Sequence, residues 1–515
     1  MKTQFNIFRR GRPLRAAVTF ACQMAFVLFG YDQGVFSGII GNEDYLRTFN
    51  HPNAGLTGII VSIFNLGCFF GCILTFFICE LLGRRKCMWF AMVFIVVGAT
   101  MQTVASNVPL MMVGRFITGI GTGIEASTVP PYLSEICPPH KRGRLVSSAP
   151  LFIGIGIVIA FWFDYGMAHV PGGLSWRLPI GFQMVWAVIV VFLVFGLPES
   201  PRYLYVHGRN DEALQVLCDI NDARPDDPAI VKEQGEILDA IALEREHGEY
   251  QWSQLFKRDD VQTSRRLVLA YFSMFFQQLT WVNNCVVYLT TVLETSVGLD
   301  RNLSLILGGA VNIVFTVGCL IPTLFLDQMG RRKPMLVGSA GCGVSMLLIA
   351  VLLSFGKKVT STASIAFFFT FMFSHGATWN GVAFAYIPEI LPLHIRAKGT
   401  ALCISGNFLW NFFVVMVSPT ILEALTWKAF ILFGLTSICF IPIIYVYYPE
   451  TTRLSLEEID WLFLKPDVVK TSIQVAKHGW GALLEGPHPR SVGSEEEKGG
   501  GVVHTEEVDL KKGSV

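Results

Sequence analysis

Long apolar segments of about twenty residues alternate with short polar connections along most of this 515-residue chain. A helix needs about 20 mostly apolar residues to cross the hydrocarbon core of a bilayer. The segments lack the alternating pattern of barrel strands, and a spanning segment must satisfy its own backbone hydrogen bonds, so we predict helices. Twelve segments meet this description: 16–39, 56–79, 87–105, 109–131, 145–166, 178–197, 267–292, 303–326, 335–355, 363–388, 399–422 and 427–448.

The composition agrees with a membrane protein. Hydrophobic residues make up 52% of the chain and charged residues 15%, whereas a soluble domain usually carries about a quarter charged residues. The net charge of +1 gives no reason to expect a nucleic-acid partner. The twelve cysteines lie mostly within apolar segments and lack the paired spacing of zinc or redox sites, so we interpret them as buried apolar residues. We therefore expect an all-α membrane protein with no cofactor and no bound metal.

Lysine and arginine residues collect in every second connection. The other connections, near 40–55, 106–108, 167–176, 296–302 and 423–426, hold Arg47 and Arg301 and little else, with Lys357 and Lys358 as the exception. Because basic residues beside membrane helices favour the cytoplasmic side, we predict that both termini are cytoplasmic, in the plasma membrane by default. The basic connections are the N-terminus, 83–86, 140–144, 201–266, 331–333 and 396–398.

Three signals in the basic connections recur in the same order in both halves of the chain. This recurrence predicts one six-helix unit used twice in the same membrane orientation. Parallel repeats of this kind are an architecture of secondary transporters, whose site lies near the midplane between the halves. The signals are GRRK (83–86 and 330–333), SEICPPHKR with PEILPLHIR (134–142 and 388–396), and PES with PET (198–200 and 449–451).

The repeat also predicts the division of the chain. We expect a cytoplasmic N-terminus (1–15), a first six-helix bundle (16–197), a cytoplasmic helical linker (198–266), a second bundle (267–448) and a cytoplasmic tail (449–515) that is disordered after about residue 464. The sequon Asn302-Leu-Ser falls in an outer connection and is a candidate glycosylation site.

Charged residues at the cytoplasmic ends of both bundles form a candidate gating network. Glutamates and arginines there can link helix ends in one conformation and release them in another; the alternative is that the arginines only set the orientation. The network comprises Glu80, Arg84, Arg85, Glu135, Arg142, Glu199, Arg202, Asp327, Arg331, Arg332, Glu389, Arg396 and Glu450.

The charged residues inside predicted membrane helices include Asp32 and Arg115. An ionisable residue there costs about 2.5–3.5 kcal/mol on insertion scales, so it usually faces a cavity or a partner. At 1.5 Å per residue, Asp32 lies roughly 24 Å along the first helix and Arg115 roughly 9 Å below the outer surface, at a similar depth. We predict that Asp32 accepts a proton and that Arg115 modulates its proton affinity; a structural salt bridge is the alternative.

Neutral amides gather at mid-depth in the second half. Amides offer donors and acceptors without net charge, which suits a neutral polyhydroxylated ligand, and aromatic rings can cover its apolar face. Hydrogen bonding between helices is the alternative use of such residues. The candidate substrate-binding residues are Gln277, Gln278, Asn283, Asn312, Asn407, Asn411, Phe29, Trp281, Phe384 and Trp410.

Several segments resemble the signatures of the sugar porter family, within the major facilitator superfamily, and most closely its fungal branch. The resemblance runs from about 28 to 463 and implies a rocker-switch transporter with twelve helices and a helical bundle in the central loop. It also implies that Asp32 and Arg115 are a proton-coupling pair. The amides that it implies as sugar contacts are Gln277, Gln278, Asn283, Asn312 and Asn407. The segments are GYDQGVFSG, GRFITGIGTG, PYLSEICPPHKRG, LPESPRYL, QQLTWVN, LDQMGRRKPM, YIPEILPLHIRAKG and YPETTRLSLEEID.

The chain departs from the family pattern near the expected sugar site. Pro150 stands where the family commonly has a glutamine, Trp281 where it has glycine, and Phe384 where it has tryptophan. Before the first basic turn Glu80 replaces the usual aspartate. A sugar derivative, polyol, sugar acid or small fungal metabolite therefore fits as well as a simple hexose.

These features favour a monomeric, proton-coupled symporter of a sugar or related polyhydroxylated molecule, with that molecule, the proton and membrane lipid as partners. The sequence leaves open an exporter of a fungal metabolite with the same fold, and a nutrient sensor that does not transport. An enzyme is disfavoured, because the chain shows no nucleotide loop, nucleophile–base spacing or metal-ligand cluster, and the glycines of GRFITGIGTG lie within a membrane helix, where they favour close helix packing.

Overall fold

The computed structural model describes residues 10–137, 145, 148–246, 259, 261–392, 395–452, 454, 456–465 and 467–478. These residues form helices joined by short turns, and no β-strand occurs among them. The helices of the first half are α1 (Arg12–Gly34), α2 (Phe36–Ile39), α3 (Glu43–Thr48), α4 (Ala54–Leu82), α5 (Arg84–Thr103), α6 (Val108–Ile136), α7 (Ala149–Met167) and α8 (Leu174–Phe195).

Three shorter helices follow, and the second half then repeats the pattern. The linker contains α9 (Pro201–Val206), α10 (Asn210–Asn221) and α11 (Pro228–Glu246). The second half contains α12 (Thr263–Leu279), α13 (Val282–Val292), a π-helical turn (Leu293–Val297), α14 (Arg301–Met329), α15 (Arg332–Ser354), α16 (Lys358–Ala377), α17 (Trp379–Ile390), α18 (Arg396–Leu425) and α19 (Lys428–Tyr447). Two more, α20 (Leu456–Phe463) and α21 (Val468–His478), close the described chain.

The helices coincide with the twelve predicted spans. Nine helical segments in the described part are long and apolar enough to cross a membrane by length and composition alone. The other three spans are α6, the interrupted pair α12–α13 and the interrupted pair α16–α17. α6 buries Arg115 and Glu125, and the two pairs are broken at Trp281 and Thr378. Polarity and broken helices mark helices that line a site, because irregular backbone inside a membrane is tolerated where it faces protein or a cavity.

Helix caps differ between the two ends of the bundle. At the end away from the basic turns, called here the opposite end, side chains of Asn53, Asn107 and Asp300 accept hydrogen bonds from N–H groups in the first turns of α4, α6 and α14. Such caps satisfy backbone donors that have no partner within the helix. At the end that carries the GRRK turns, called here the basic end, the caps come from more distant residues and are described below.

The two bundles are closed against each other at the opposite end. Val287 and Val415 of the second bundle share one buried cluster with Phe36 of the first. The hydroxyl of Thr290 donates to the carbonyl of Ser37 across the same boundary, at 2.8 Å. Below this closure the bundles also meet along α4 against α18 and along α7 against α14.

The prediction of disorder after about residue 464 is wrong for residues 467–478. α21 buries Val468, Ser472 and Val475, and the hydroxyl of Ser472 accepts a hydrogen bond from the backbone N–H of Glu450 at 3.0 Å. Lys470, Gln474 and Lys477 lie on the exposed face of this amphipathic helix. Residues 479–515 lie outside the described chain, and the other boundaries stay predictions.

Candidate functional site

A break between α12 and α13 positions the amides of the second half. Trp281 has φ 68° and ψ 23°, a left-handed conformation that costs roughly 1–2 kcal/mol for a residue with a side chain. The break separates Gln278, near the end of α12, from Asn283, near the start of α13. Their side chains therefore meet across the interruption, where the Nδ2 group of Asn283 donates to the Oε1 atom of Gln278 at 2.6 Å.

This pair belongs to a hydrogen-bonded chain of four amides, called here the carboxamide cluster: Gln278, Asn283, Asn411 and Asn65. Asn283 also donates to the Oδ1 atom of Asn411 on α18, at 3.0 Å. Asn411 in turn donates to the Oδ1 atom of Asn65 on α4, at 2.9 Å. Because α4 belongs to the first bundle, the cluster joins the two bundles at mid-depth.

Beside the cluster lie further buried polar groups. Asn407 donates to the Oε1 atom of Gln277 at 2.8 Å. Asn312 donates to the Gly308 carbonyl of its own helix, and its Oδ1 atom has no hydrogen-bond partner among the described residues. The imidazole of His375, 1% exposed, lies beside the backbone of Gln277. Buried polar atoms are normally paired, so the unpaired Oδ1 atom of Asn312 is available to a polar ligand.

An aromatic pair spans the same boundary between the bundles. The rings of Phe29 on α1 and Phe408 on α18 lie 5.9 Å apart at 60°. Both belong to a small buried cluster with Phe64. An apolar wall next to amides is the usual composition of a small-molecule site.

Two predicted aromatic residues, Trp281 and Trp410, contact residues outside the carboxamide cluster. The ring of Trp281 stacks on Phe433 with centroids 3.9 Å apart, so its bulk lies against α19. Trp410 donates its indole N–H to the hydroxyl of Tyr271 at 3.2 Å, on α12. Phe384 is 37% exposed on α17.

Asp32 and Arg115 lie close together but not in contact. Asp32 is fully buried, and its Oδ2 atom accepts a hydrogen bond from Thr122 at 3.2 Å. The Arg115 guanidinium, 2% exposed, lies 4.0 Å from the centre of the Phe36 ring and donates to the Val61 carbonyl at 3.0 Å. Their charges are near enough to interact, and no ion pair joins them among the described residues. Coupling by this pair would need two arrangements, one with Arg115 close to Asp32 and one with Arg115 withdrawn from it. The structure has Arg115 withdrawn.

Another arginine, Arg301, connects the two bundles at the opposite end. Arg301 of α14 donates from Nη2 to the carbonyl of Gly38 in the first bundle, at 2.8 Å. Its Nη1 atom lies 3.3 Å from the Oε1 atom of Glu294. The N–H group of Gly38 donates to the Oδ2 atom of Asp164 at 3.2 Å. The backbone of Gly38 is therefore held from both sides, and we call Arg301, Glu294, Gly38 and Asp164 the opposite-end latch.

At the basic end of the first bundle, one glutamate caps a helix and another pairs with an arginine. The Oε1 atom of Glu199 accepts from the backbone N–H of Arg84 at 3.0 Å, at the start of α5. Arg84 donates from Nη2 to Glu135 at 3.0 Å. Burial raises the pKa of Glu199 above its ordinary value, and N–H donors, including those of Ser200 and Arg85, oppose this shift by favouring the carboxylate.

The second bundle repeats this arrangement. Glu450 accepts from the N–H groups of Arg331 and Arg332 at 2.8 and 3.1 Å. Arg331 forms a two-pronged pair with Glu389, with N–O distances of 2.6 and 2.9 Å. Each set joins helices of its own bundle, and the release of these links in another conformation stays a prediction. Gly83 and Gly330 begin the two turns at φ 85° and 79°, which favour glycine.

The other predicted residues of the network take different positions. Arg85 and Arg332 donate to backbone carbonyls of Phe195 and Tyr445, at 2.8 and 2.6 Å. Glu80 is exposed and Arg202 is half-buried. Asp327 lies 3.5 Å from Arg331, and Arg396 donates to the Leu391 carbonyl. Arg142 lies outside the described residues. Asn302 is exposed in the first turn of α14, but Ser304 of its sequon is buried there.

Sequence reasoning missed five buried residues of this region. An ionisable or amide group inside an apolar span indicates function, and this rule would have identified all of them except Phe408. The predictions from the sequence applied the rule only to the amides of the second half, Asp32 and Arg115. No sequence pattern identifies Phe408, because a phenylalanine that faces the site and one that faces lipid look the same in the sequence. The missed residues are Asn65, Glu125, Asp164, His375 and Phe408.

Together, two six-helix bundles, an amide cluster between them and buried charges beside it define a membrane transporter of the major facilitator fold. Residues 17–463 match the family model described as "Sugar (and other) transporter". The chain is a member of this family of transporters, as its sequence motifs predicted.

Relatives and solved structures agree with this assignment. The MFS-type transporter oryC of Aspergillus oryzae is 36% identical over 86% of this chain and 84% of its own length. The sugar transporter STL1 of Saccharomyces cerevisiae is 31% identical over 88% and 82%. The proton:xylose symporter XylE bound to 6-bromo-6-deoxy-D-glucose superposes with a TM-score of 0.74 at 22% identity, covering 87% of this chain and 99% of that one. The last likeness confirms the predicted fold class.

Proposed function

We propose that this protein carries a neutral polyhydroxylated small molecule across the membrane together with a proton, by alternating access. The carboxamide cluster supports this most directly, because four neutral amides at mid-depth connect the moving halves. A ligand that replaces the amide–amide hydrogen bonds with its own hydroxyl groups would bind there without transferring an uncompensated charge. The relatives named for sugar transport support the same ligand class.

Proton coupling is the second part of the proposal. A fully buried carboxylate with a single hydrogen bond, near a separated guanidinium, can hold a proton in one conformation and lose it in another. The closed opposite end makes this the conformation that would exchange substrate and proton at the basic end. We propose that the basic end is cytoplasmic, with both termini on that side, and that the plasma membrane hosts the protein.

A polyol, sugar acid or other metabolite remains a candidate ligand beside a hexose. Pro150 and the buried imidazole of His375 give the site a different set of hydrogen-bonding groups from the amides alone. Proline cannot donate a hydrogen bond, whereas a neutral imidazole both donates and accepts one.

Transport by purified protein in liposomes tests the proposal. The probes are glucose, xylose, glycerol, sorbitol and gluconate, each with and without an imposed pH gradient. We expect at least one probe to accumulate under the gradient, and Asp32→Asn to abolish accumulation while exchange of labelled for unlabelled probe continues. Glu43→Gln, at an exposed carboxylate, is the control that should match the unmodified protein. Accumulation that persists in Asp32→Asn would exclude this carboxylate as the coupling site.

A further inference from the structure

A second carboxylate lies inside the first bundle, outside the pair of Asp32 and Arg115. Glu125 of α6 is 1% exposed, and neither of its oxygens has a hydrogen-bond partner in the described part of the chain. Asp164, in contrast, accepts from the N–H of Gly38. A buried carboxylate without a partner is unfavourable when ionised, so it persists where it serves a function.

The position of Glu125 relates it to Asp32. Glu125 follows Thr122 by three residues, so both side chains lie on one face of α6. The hydroxyl of Thr122 donates to Asp32, which shows that this face is turned toward α1. Asp32 and the Cys22 thiol, both on α1, are the titratable groups close enough to Glu125 for their charges to interact with it.

Glu125 also lies nearer the basic end than the contact between Thr122 and Asp32. α6 begins at Val108 at the opposite end and ends at Ile136 at the basic end. Three residues advance a helix by about 4.5 Å in that direction. A proton that leaves Asp32 toward the basic end therefore passes the level of Glu125.

The charges in this region do not balance when both carboxylates are ionised. Arg115 is near enough to interact with Asp32, and it supplies one positive charge for two carboxylates. An excess negative charge inside the bundle is costly, so the two carboxylates together retain a proton until water reaches them from the basic end. That proton has two possible acceptors, Asp32 on α1 and Glu125 on α6, whose charges are near enough to interact.

We propose that Glu125 is a second proton carrier, which takes the proton of Asp32 and releases it toward the basic end. In this step the O–H bond of the Asp32 carboxyl group breaks and an O–H bond forms on a Glu125 oxygen. Asp32 is then ionised near Arg115, and Glu125 is neutral until it loses the proton to water. The inference rests on the proton coupling proposed above.

The test compares accumulation with exchange in liposomes, using the best-transported probe of the panel above. Exchange of labelled for unlabelled probe needs no net proton movement, whereas accumulation under a pH gradient does. With one proton per substrate, a gradient of about one pH unit supports about tenfold accumulation. We expect Glu125→Gln to exchange at the rate of the unmodified protein without accumulating the probe, and Glu125→Asp, which keeps a carboxyl group, to recover part of the accumulation.

Each outcome distinguishes this inference from the proposed function. If the unmodified protein does not accumulate the probe, the coupling proposal itself fails. If Asp32→Asn loses accumulation but Glu125→Gln keeps it, Glu125 is not a carrier and the coupling proposal stands. Loss of exchange in a folded Glu125→Gln protein also overturns the inference, because exchange does not require a proton carrier. Should Glu125→Gln fail to fold, Glu125→Asp decides, through slower accumulation at unchanged exchange.

Discussion

The opposite-end latch makes a specific prediction about the balance between conformations. Arg301 is the member that connects the bundles, through its hydrogen bond to the Gly38 carbonyl at 2.8 Å. Replacing it with alanine removes that hydrogen bond from the state in which this end is closed. In a state with this end open, the bundles are apart and the bond does not exist, so that state loses nothing. We therefore expect Arg301→Ala to shift the protein toward opening at the opposite end.

The structure sets the size of this shift. A hydrogen bond to a charged group contributes about 1.5–3 kcal/mol net when it is well buried. The Arg301 side chain is 32% exposed, so solvent screening reduces its contribution to about 1–2 kcal/mol, or a 5- to 30-fold change in the equilibrium. Arg301→Lys keeps the charge but presents one compact donor group, so we expect an intermediate shift.

Hydrogen exchange read by mass spectrometry measures the effect in purified protein. Backbone amides of residues 35–40 and 286–292 should lose protection in Arg301→Ala by a factor within that range, because they are covered only while this end is closed. Arg47→Ala is the matched control, since Arg47 lies at the same end and forms an exposed ion pair with Glu43 inside its own helix. Equal protection in Arg301→Ala and the unmodified protein would refute the latch.

Three further predictions concern the site and the basic end. Asn411→Ala removes the amide at the centre of the cluster, and with it a hydrogen-bonding partner of the bound probe, so affinity for the transported probe should fall by about 1–3 kcal/mol, measured by titration calorimetry. Trp281→Phe should leave that affinity unchanged while lowering stability by about 1 kcal/mol in thermal unfolding, because the ring packs on Phe433 and not on the cluster. Glu450→Gln should destabilise the fold by about 1–2 kcal/mol by weakening the cap of α15, whereas the same change at exposed Glu80 should have little effect; equal unfolding temperatures would refute the cap.

The sequence by itself determined the number of membrane spans, their repeat and the position of the basic turns. These follow from local patterns: about twenty apolar residues make a spanning helix wherever they occur, and the spacing of GRRK and the glutamate motifs is written in the chain. The midplane amides could also be found this way, because depth follows from helical rise and residue count. Gln277, Gln278, Asn407 and Asn411 are accordingly buried, and Asn283 is half-buried.

The tertiary structure decided which side chains meet and which way they point. The packing against Phe433 directs Trp281 away from the cluster, and no local pattern encodes that direction. The bond from Asn411 to Asn65 depends on how α4 docks against α18, over a separation of 346 residues. The same holds for the separation of Asp32 from Arg115. Helix formation is a local property of the chain, whereas contacts between bundles depend on how those helices dock.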